Sequence, residues 1–274
     1  MTGEGVVVGR RPANSALAAL RRYWYPLAAL VRRDLKKRYA ASVLGAAWMI
    51  LQPLLLLALY VLVFAFILRS GRDAIGAREF VLSLLSGMLP YIAISEGLHR
   101  ASWALREDRA LLERDAFPAE VVPAARVVSA SVGEAVGLVL LVALAAFIGH
   151  PLSGWLVLLP LLVAARVLMT AGLAWIVSTL ALFVADLTEM LSLILTAWLF
   201  LTPIFYTADA MPSALRGLLA VNPLYHLVRA YRSVLIEGRA PGVDALLLFA
   251  WAGVLATAGL WFFRKTLDRG KDLL

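Results

Sequence analysis

Cysteine is absent from the 274 residues, which excludes disulfides, thiol nucleophiles and thiolate metal ligands. Histidine is scarce, and His99, His150 and His226 stand far apart with no ligand spacing among them. No H-E-x-x-H or G-x-S-x-G occurs. No G-x-x-x-x-G-K-[ST] occurs either, so the chain cannot hydrolyse a nucleotide through a phosphate loop. Charge is thin: Asp, Glu, Lys and Arg make up 16% of the residues, against about 25% in an ordinary soluble domain. No internal repeat or low-complexity tract is evident. What is abundant is oil, at 62% apolar residues against ~45–50% in soluble domains. A soluble globule of this length has no interior for so many apolar side chains, and disordered chains lack them. The composition reads as an integral membrane protein.

Six apolar stretches approach the ~20 residues needed to cross the hydrocarbon: residues 43–68, 80–104, 122–148, 152–184, 190–206 and 243–263. Backbone groups in lipid must be satisfied within the segment, so these are expected to be helices. The chain thus divides into a tail and interfacial helix (1–42), a transmembrane domain (43–263) and a short C-terminal tail (264–274). The first long apolar run begins near Val43 and is too long for a cleavable signal. Lys and Arg total 26 against 18 Asp and Glu, a net charge of +8. That excess would suggest nucleic acid in a soluble chain. Here the cations flank apolar runs and read as orientation in an anionic bilayer, with membrane lipids and no nucleic acid as partners. With six spans, seventeen Lys and Arg fall on the side of both termini and seven on the other. The expected orientation places both termini in the cytoplasm of an inner, or plasma, membrane.

Before the first span, Leu17, Leu20, Trp24, Leu27, Val31 and Leu35 recur at steps of three and four, with Arg21, Arg22, Arg32, Arg33, Lys36 and Lys37 opposite them. This is the pattern of a basic amphipathic helix lying in the headgroup plane, interrupted or kinked at Pro26. Between the second and third stretches, L-R-E-D-R-A-L-L-E-R-D-A-F-P (Leu105–Pro118) carries both charge signs around Leu111, Leu112 and Phe117. It suits docking into a soluble partner, or it is a solvated loop. Residues 207–242 keep helical spacing in two sets split by Asn222-Pro223, where Asn222 caps and Pro223 opens a helix. The two short helices are expected either to cover a central opening or to rest on the outer interface. Glu134 and Arg166 fall near the middle of consecutive antiparallel stretches. Charge at that depth is costly, so they read as an ion pair, a substrate contact or a subunit contact. Glu96, His99 and Arg100 are expected to reach the interface by snorkelling. Asp186 and Glu189, at the membrane edge, read as a solvated turn or an end that interacts with other chains rather than an acid–base pair.

Five segments in order resemble the permeases of ABC-2 type polysaccharide exporters, which carry O-antigen, capsule or teichoic-acid polymers. They are V-R-R-D-L-K-K-R-Y-A-A-S-V-L-G-A-A-W-M-I-L-Q-P-L (Val31–Leu54), E-R-D-A-F-P-A-E-V-V-P (Glu113–Pro123), F-V-A-D-L-T-E-M (Phe183–Met190), L-T-P-I-F-Y (Leu201–Tyr206) and N-P-L (Asn222–Leu224). The resemblance spans about residues 25–265. It implies an all-α membrane fold with six spans, an N-terminal interfacial helix, a coupling helix and two external gate helices. By analogy two copies form a channel, and two separate ATPase subunits supply ATP and magnesium, with no cofactor in this chain. Arg109, Leu111, Leu112, Glu113, Arg114, Phe117 and Pro118 would then meet the ATPase. The implied cargo is a lipid-pyrophosphate-linked glycan, whose headgroup Arg32, Arg33, Lys36, Lys37 and Arg38 would attract. Tyr60, Phe64, Tyr91, Trp175, Trp198, Phe200, Phe205 and Tyr206 are candidates for a sugar-stacking channel lining, or for ordinary interfacial belts and packing. Rival readings are an ABC-2 exporter of drugs or simple lipids, a membrane-embedded transferase on a polyprenyl-linked substrate, and an ion-driven secondary transporter. The transferase lacks a carboxylate or metal cluster in the sequence, and the secondary transporter would usually show repeats.

Overall fold

A computed structural model describes residues 16–39, 43–60, 62–63, 74–113 and 117–270. The expectations for residues 1–15, for Phe64 and for Arg114 lie outside these. Ten α-helices cover the described chain: α1 (Ala16–Tyr39), α2 (Trp48–Tyr60), α3 (Ala74–Glu107), α4 (Arg109–Leu112), α5 (Val121–Phe147), α6 (Leu159–Phe183), α7 (Leu187–Leu201), α8 (Ser213–Arg216), α9 (Pro223–Leu235) and α10 (Gly242–Gly270). No strand occurs among the described residues. The all-helical membrane architecture expected from the apolar runs is present. Four helices, spanning 78–107, 121–147, 154–183 and 242–267, are long and apolar enough to cross a bilayer, whereas α2 and α7 are shorter apolar helices of 13 and 15 residues.

Several boundaries differ from the apolar runs, each for a local reason. The second stretch is expected over 80–104, but α3 continues through Arg106 and Glu107 because charged side chains at that end find partners instead of breaking the helix. The fifth is expected over 190–206, but α7 stops at Leu201 and Thr202 is extended, since Pro203 has no N–H to continue the ladder. Pro160 does not break the fourth stretch. A 3-10 turn (Gly154–Leu158), capped by the Ser153 side chain, precedes α6, and Pro160 sits in its first turn, where its missing N–H costs nothing. Pro26 neither starts a new helix nor ends one: α1 runs through it. Of the two helices expected after α7, the first is only the single turn α8 and a 3-10 turn at Gly217–Val221. The second is α9, opened as expected by Asn222, whose side chain accepts from the Leu224 N–H at 3.0 Å, with Pro223 in first position.

α3 lies at the centre. Some 78% of its apolar window is buried, against 39% for α5 and α6 and 28% for α10. Its Leu84, Leu85 and Ile94 join Leu141, Met169, Leu227 and Tyr231 in the main core. α9 is inserted into that core rather than resting on a surface. Nine of its 13 residues are buried, and at about 1.5 Å per residue it is ~20 Å long, too short to cross ~30 Å of hydrocarbon. A second, smaller core closes one end of the bundle, where Leu30 of α1 meets Leu105, Val122, Leu182 and Phe263. That is where the apolar stripe of α1 goes.

Helices in lipid gain little from burying oil against oil, so close backbone packing carries much of their association. α6 and α10 show it most strongly. A Cβ built on Gly259 would lie 2.1 Å from the Gly172 carbonyl oxygen, and one on Gly172 would lie 2.3 Å from the Leu255 backbone. Gly259→Ala is therefore expected to lower the unfolding free energy of the detergent-purified chain by about 1–3 kcal/mol. Gly253→Ala, on the same helix but facing open space, serves as control. Equal melting temperatures for the two variants would show that the crossing is not tight.

Candidate functional site

At the end of the bundle that carries α1, an ionic network joins four segments. Arg33 donates to Asp108 at 2.5 Å and Arg38 to Glu96 at 2.5 Å. Arg100 bridges Glu96, at 3.1 Å, and Asp34. Arg126 of α5 donates to Asp34, to Glu107 at 2.8 Å and to Asp108 at 3.0 Å. Asp34, Asp108 and Arg126 are 3%, 5% and 6% exposed. Exposed pairs are worth about 0–1 kcal/mol, but removing one partner from a buried set strands a charge. Here α1, the end of α3, the start of the 105–118 segment and α5 are tied into one unit.

Two expectations change as a result. Arg33 and Arg38, read as headgroup-attracting cations, are bound to carboxylates, whereas Arg32, Lys36 and Lys37 are free of ion pairs among the described residues. Glu96 and Arg100 do not snorkel outward, since both are bound to α1. His99 is held between the Ser95 carbonyl, at 2.8 Å, and the Ser192 hydroxyl of α7, at 2.9 Å.

Between α1, α2 and α3 the network encloses an open cavity of about 880 Å³. Asp34, Lys37 and Arg38 come from α1, Gln52 from α2, and Tyr91, Ser95, Glu96, His99, Arg100 and Trp103 from α3. A narrow continuation past Pro53, Leu56 and Leu89 shares Arg38, Gln52 and Glu96 with it and ends at Glu134.

Glu134 is the base of a second knot. Arg166 of α6 donates to one of its oxygens, and the Tyr231 hydroxyl of α9 donates to the other at 2.9 Å. Arg166 is fully buried, and its Nε and Nη1 find no partner among the described residues. The charges expected to lie at similar depth thus meet, and α9 joins them. Nearby, Arg232 of α9 donates to the carbonyls of Ser83 (3.2 Å), Pro203 (2.9 Å) and Ile204 (3.0 Å). It thereby satisfies the backbone released where α7 stops.

The 105–118 segment is less free than its pattern suggests. α4 is a single turn with Arg109 and Glu113 paired at 3.1 Å on its exposed face. Leu111, Leu112 and Phe117, read as an apolar docking tip, are half-buried against the smaller core, and Pro118 is buried. Asp108 sits in the capping position but makes no cap bond, because its carboxylate serves Arg33 and Arg126.

The sequence model of the family described as ABC-2 type transporter matches residues 25–236, from within α1 to the end of α9. The chain belongs to the ABC-2 type transporter family. Among curated proteins it is 31% identical over 231 residues to the "O-antigen export system permease protein RfbA" of Myxococcus xanthus, covering 84% of this chain and 87% of that one. It is 26% identical over 249 residues to a protein of the same name from Klebsiella pneumoniae (90% and 94% covered). To the "Polysialic acid transport protein KpsM" of Escherichia coli it is 23% identical over 239 residues (86% and 91% covered). As an ABC-2 permease with several apolar helices, it is a multi-pass membrane protein.

The aromatic candidates of this ABC-2 permease do not form one lining. Tyr91 is in the cavity wall but buried, with its hydroxyl donated to the Leu195 carbonyl at 3.0 Å. Trp175 is turned to the opposite task, donating to the Glu120 carbonyl at 2.8 Å. Trp198 donates to the Asn222 side chain at 2.8 Å and so fixes the start of α9 to α7. Phe200, Phe205 and Tyr206 cluster around the end of α7, with the two phenyl rings 6.0 Å apart. Tyr60 packs against the main core. Sequence reasoning missed Asp34, Arg126 and Trp103. Asp34 had a signal, since it lies on the apolar stripe of Leu27, Leu30 and Val31, seven and four residues after the first two.

The Glu134–Arg166 contact has a thermodynamic signature. Glu134→Ala or Arg166→Ala alone leaves a buried charge without its partner and is expected to cost about 3–5 kcal/mol in detergent unfolding. The double change is expected to cost less than either. Additive losses would argue against the contact.

Proposed function

We propose that this chain is the membrane half of an ATP-driven exporter of lipid-linked polysaccharide of the O-antigen class. Two copies enclose the path, and separate ATPase subunits drive it. The observation that carries the reading is likeness along almost the whole chain to proteins named for O-antigen export, joined by one named for polysialic acid transport. The lack of a phosphate-loop motif in the sequence accords with nucleotide hydrolysis by a separate subunit. The excess of Lys and Arg on the α1 side supports a cytoplasmic placement of that side, with cargo entering there and leaving at the end where α8 and α9 begin.

In this reading the ATPase seats on the exposed Arg109–Glu113 face of α4. A push there acts on Asp108, whose carboxylate is shared by Arg33 of α1 and Arg126 of α5. α5 carries Glu134, and through Arg166 and Tyr231 the displacement reaches α6 and α9. The chain of contacts is continuous from the docking surface to the short inserted helix. Arg32 and Lys36, exposed on α1, supply charge for an anionic pyrophosphate headgroup, while Lys37 lines the cavity between α1, α2 and α3. Arg33 and Arg38 join them only by exchanging a carboxylate for a phosphate.

The test swaps a charge pair. Arg109→Glu with Glu113→Arg preserves the pair along the helix, in the favoured acid-first order, but inverts the pattern shown to a partner. In cells lacking the native copy, the wild-type chain is expected to restore surface polymer. The swapped chain is expected to reach the membrane but lose export and glycolipid-stimulated ATP hydrolysis. Normal export by the swapped chain would remove α4 from the coupling surface, and surface polymer persisting without any copy would overturn the export reading.

A further inference from the structure

The 880 Å³ cavity between α1, α2 and α3 falls within the ~300–1,000 Å³ of ordinary small-molecule sites. Its position beside the basic face of α1 suggests an anion site at first sight, but its chemistry does not. Four cations (Lys37, Arg38, Arg100 and Arg126) face three carboxylates (Asp34, Glu96 and Glu107). The guanidinium groups are already committed. Arg100 spends both terminal nitrogens on Glu96 and Asp34, Arg126 serves Asp34, Glu107 and Asp108, and Arg38 serves Glu96 and the Gln52 carbonyl. A pyrophosphate placed there would meet three carboxylates and have to displace their partners.

A sugar asks for something else. Each hydroxyl both donates and accepts, so it is satisfied by carboxylates, guanidinium groups and amides held side by side. The C–H face of a pyranose wants an aromatic surface. The cavity offers both. Gln52 uses its oxygen for Arg38 and keeps its amide N–H groups for a ligand. Lys37 brings an ammonium without a carboxylate partner among the described residues. Trp103 lines the wall half-exposed, with the Arg106 guanidinium 5.5 Å from its ring centroid. The pocket toward Glu134 is far smaller, at about 60 Å³.

We propose that this cavity is a glycan subsite that binds uncharged sugar units of the cargo through Trp103, Gln52, Lys37 and the paired ions of Glu96 and Arg100. The headgroup charge is left to Arg32 and Lys36 of α1. The proposal rests on the export reading and names the sugar-recognising part of it. It also locates glycan selectivity in the permease itself.

The test uses the full-length purified chain in lipid nanodiscs and titration calorimetry. The probe is oligosaccharide released by mild acid from the surface polymer of the producing cell, with inorganic pyrophosphate as competitor. The expected result is saturable binding that pyrophosphate does not displace. Trp103→Ala and Gln52→Ala are each expected to weaken it by about tenfold, while Trp103→Phe retains most of it. Competition by pyrophosphate, wild-type affinity in both alanine variants, or no binding to the wild-type chain would each overturn the proposal. The export reading is scored separately, by whether the wild-type chain restores polymer to cells lacking it. Restoration without oligosaccharide binding would discard the subsite alone, whereas polymer appearing without the chain would discard export.

Discussion

A charge inside a helical bundle persists only when another group answers it, because lipid and packed apolar side chains offer no substitute for water. This constraint organises the molecule at two levels. Midway along α5, Glu134 is answered by Arg166 and Tyr231, which fastens α5, α6 and α9. At the α1 end, Asp34 and Asp108 are answered by Arg33, Arg100 and Arg126, which fastens α1, α3, α5 and the 105–118 segment. The same constraint acts on backbone groups where α7 ends, and Arg232 answers the carbonyls of Pro203 and Ile204. These ties hold α1 and α9 in the bundle beside the apolar contacts that both helices make.

The existence of the helices was legible in the sequence because a run of apolar residues long enough to cross hydrocarbon has few alternatives. Their ends were not legible. A helix end is decided by what satisfies its last polar groups, and those partners are remote: Arg232 lies some thirty residues from Pro203, and Arg126 nineteen from Glu107. The buried charges Glu134 and Arg166 stood out because their depth makes any ionisable residue conspicuous. Asp34 and Arg126 did not, since near the interface water is always a competing partner, and only tertiary packing shows that water has been excluded. The basic run of α1 announced its sign but hid its occupancy, and two of its five cations turned out to be engaged with acids. The aromatic candidates show the same limit: residue type marks them as able to stack, while Trp175, Trp198 and Tyr91 are held in place by polar hydrogen bonds.

The ABC-2 family match covers the region of these contacts. The family match begins within α1 and ends after α9, so it takes in both ionic knots and the inserted helix. A surface loop that merely linked two spans would not need its first residue shared between two arginines from other helices. Asp108 is so shared.

The contact between Gly172 and Gly259 constrains how such a machine can move. Where two backbones touch, even a methyl group's width of separation breaks the register of the crossing, so α6 and α10 travel as a single plank. α2 and α7, by contrast, bury one residue and two. Displacement within the chain is therefore costlier at the Gly172–Gly259 seam than at α2, which buries a single residue.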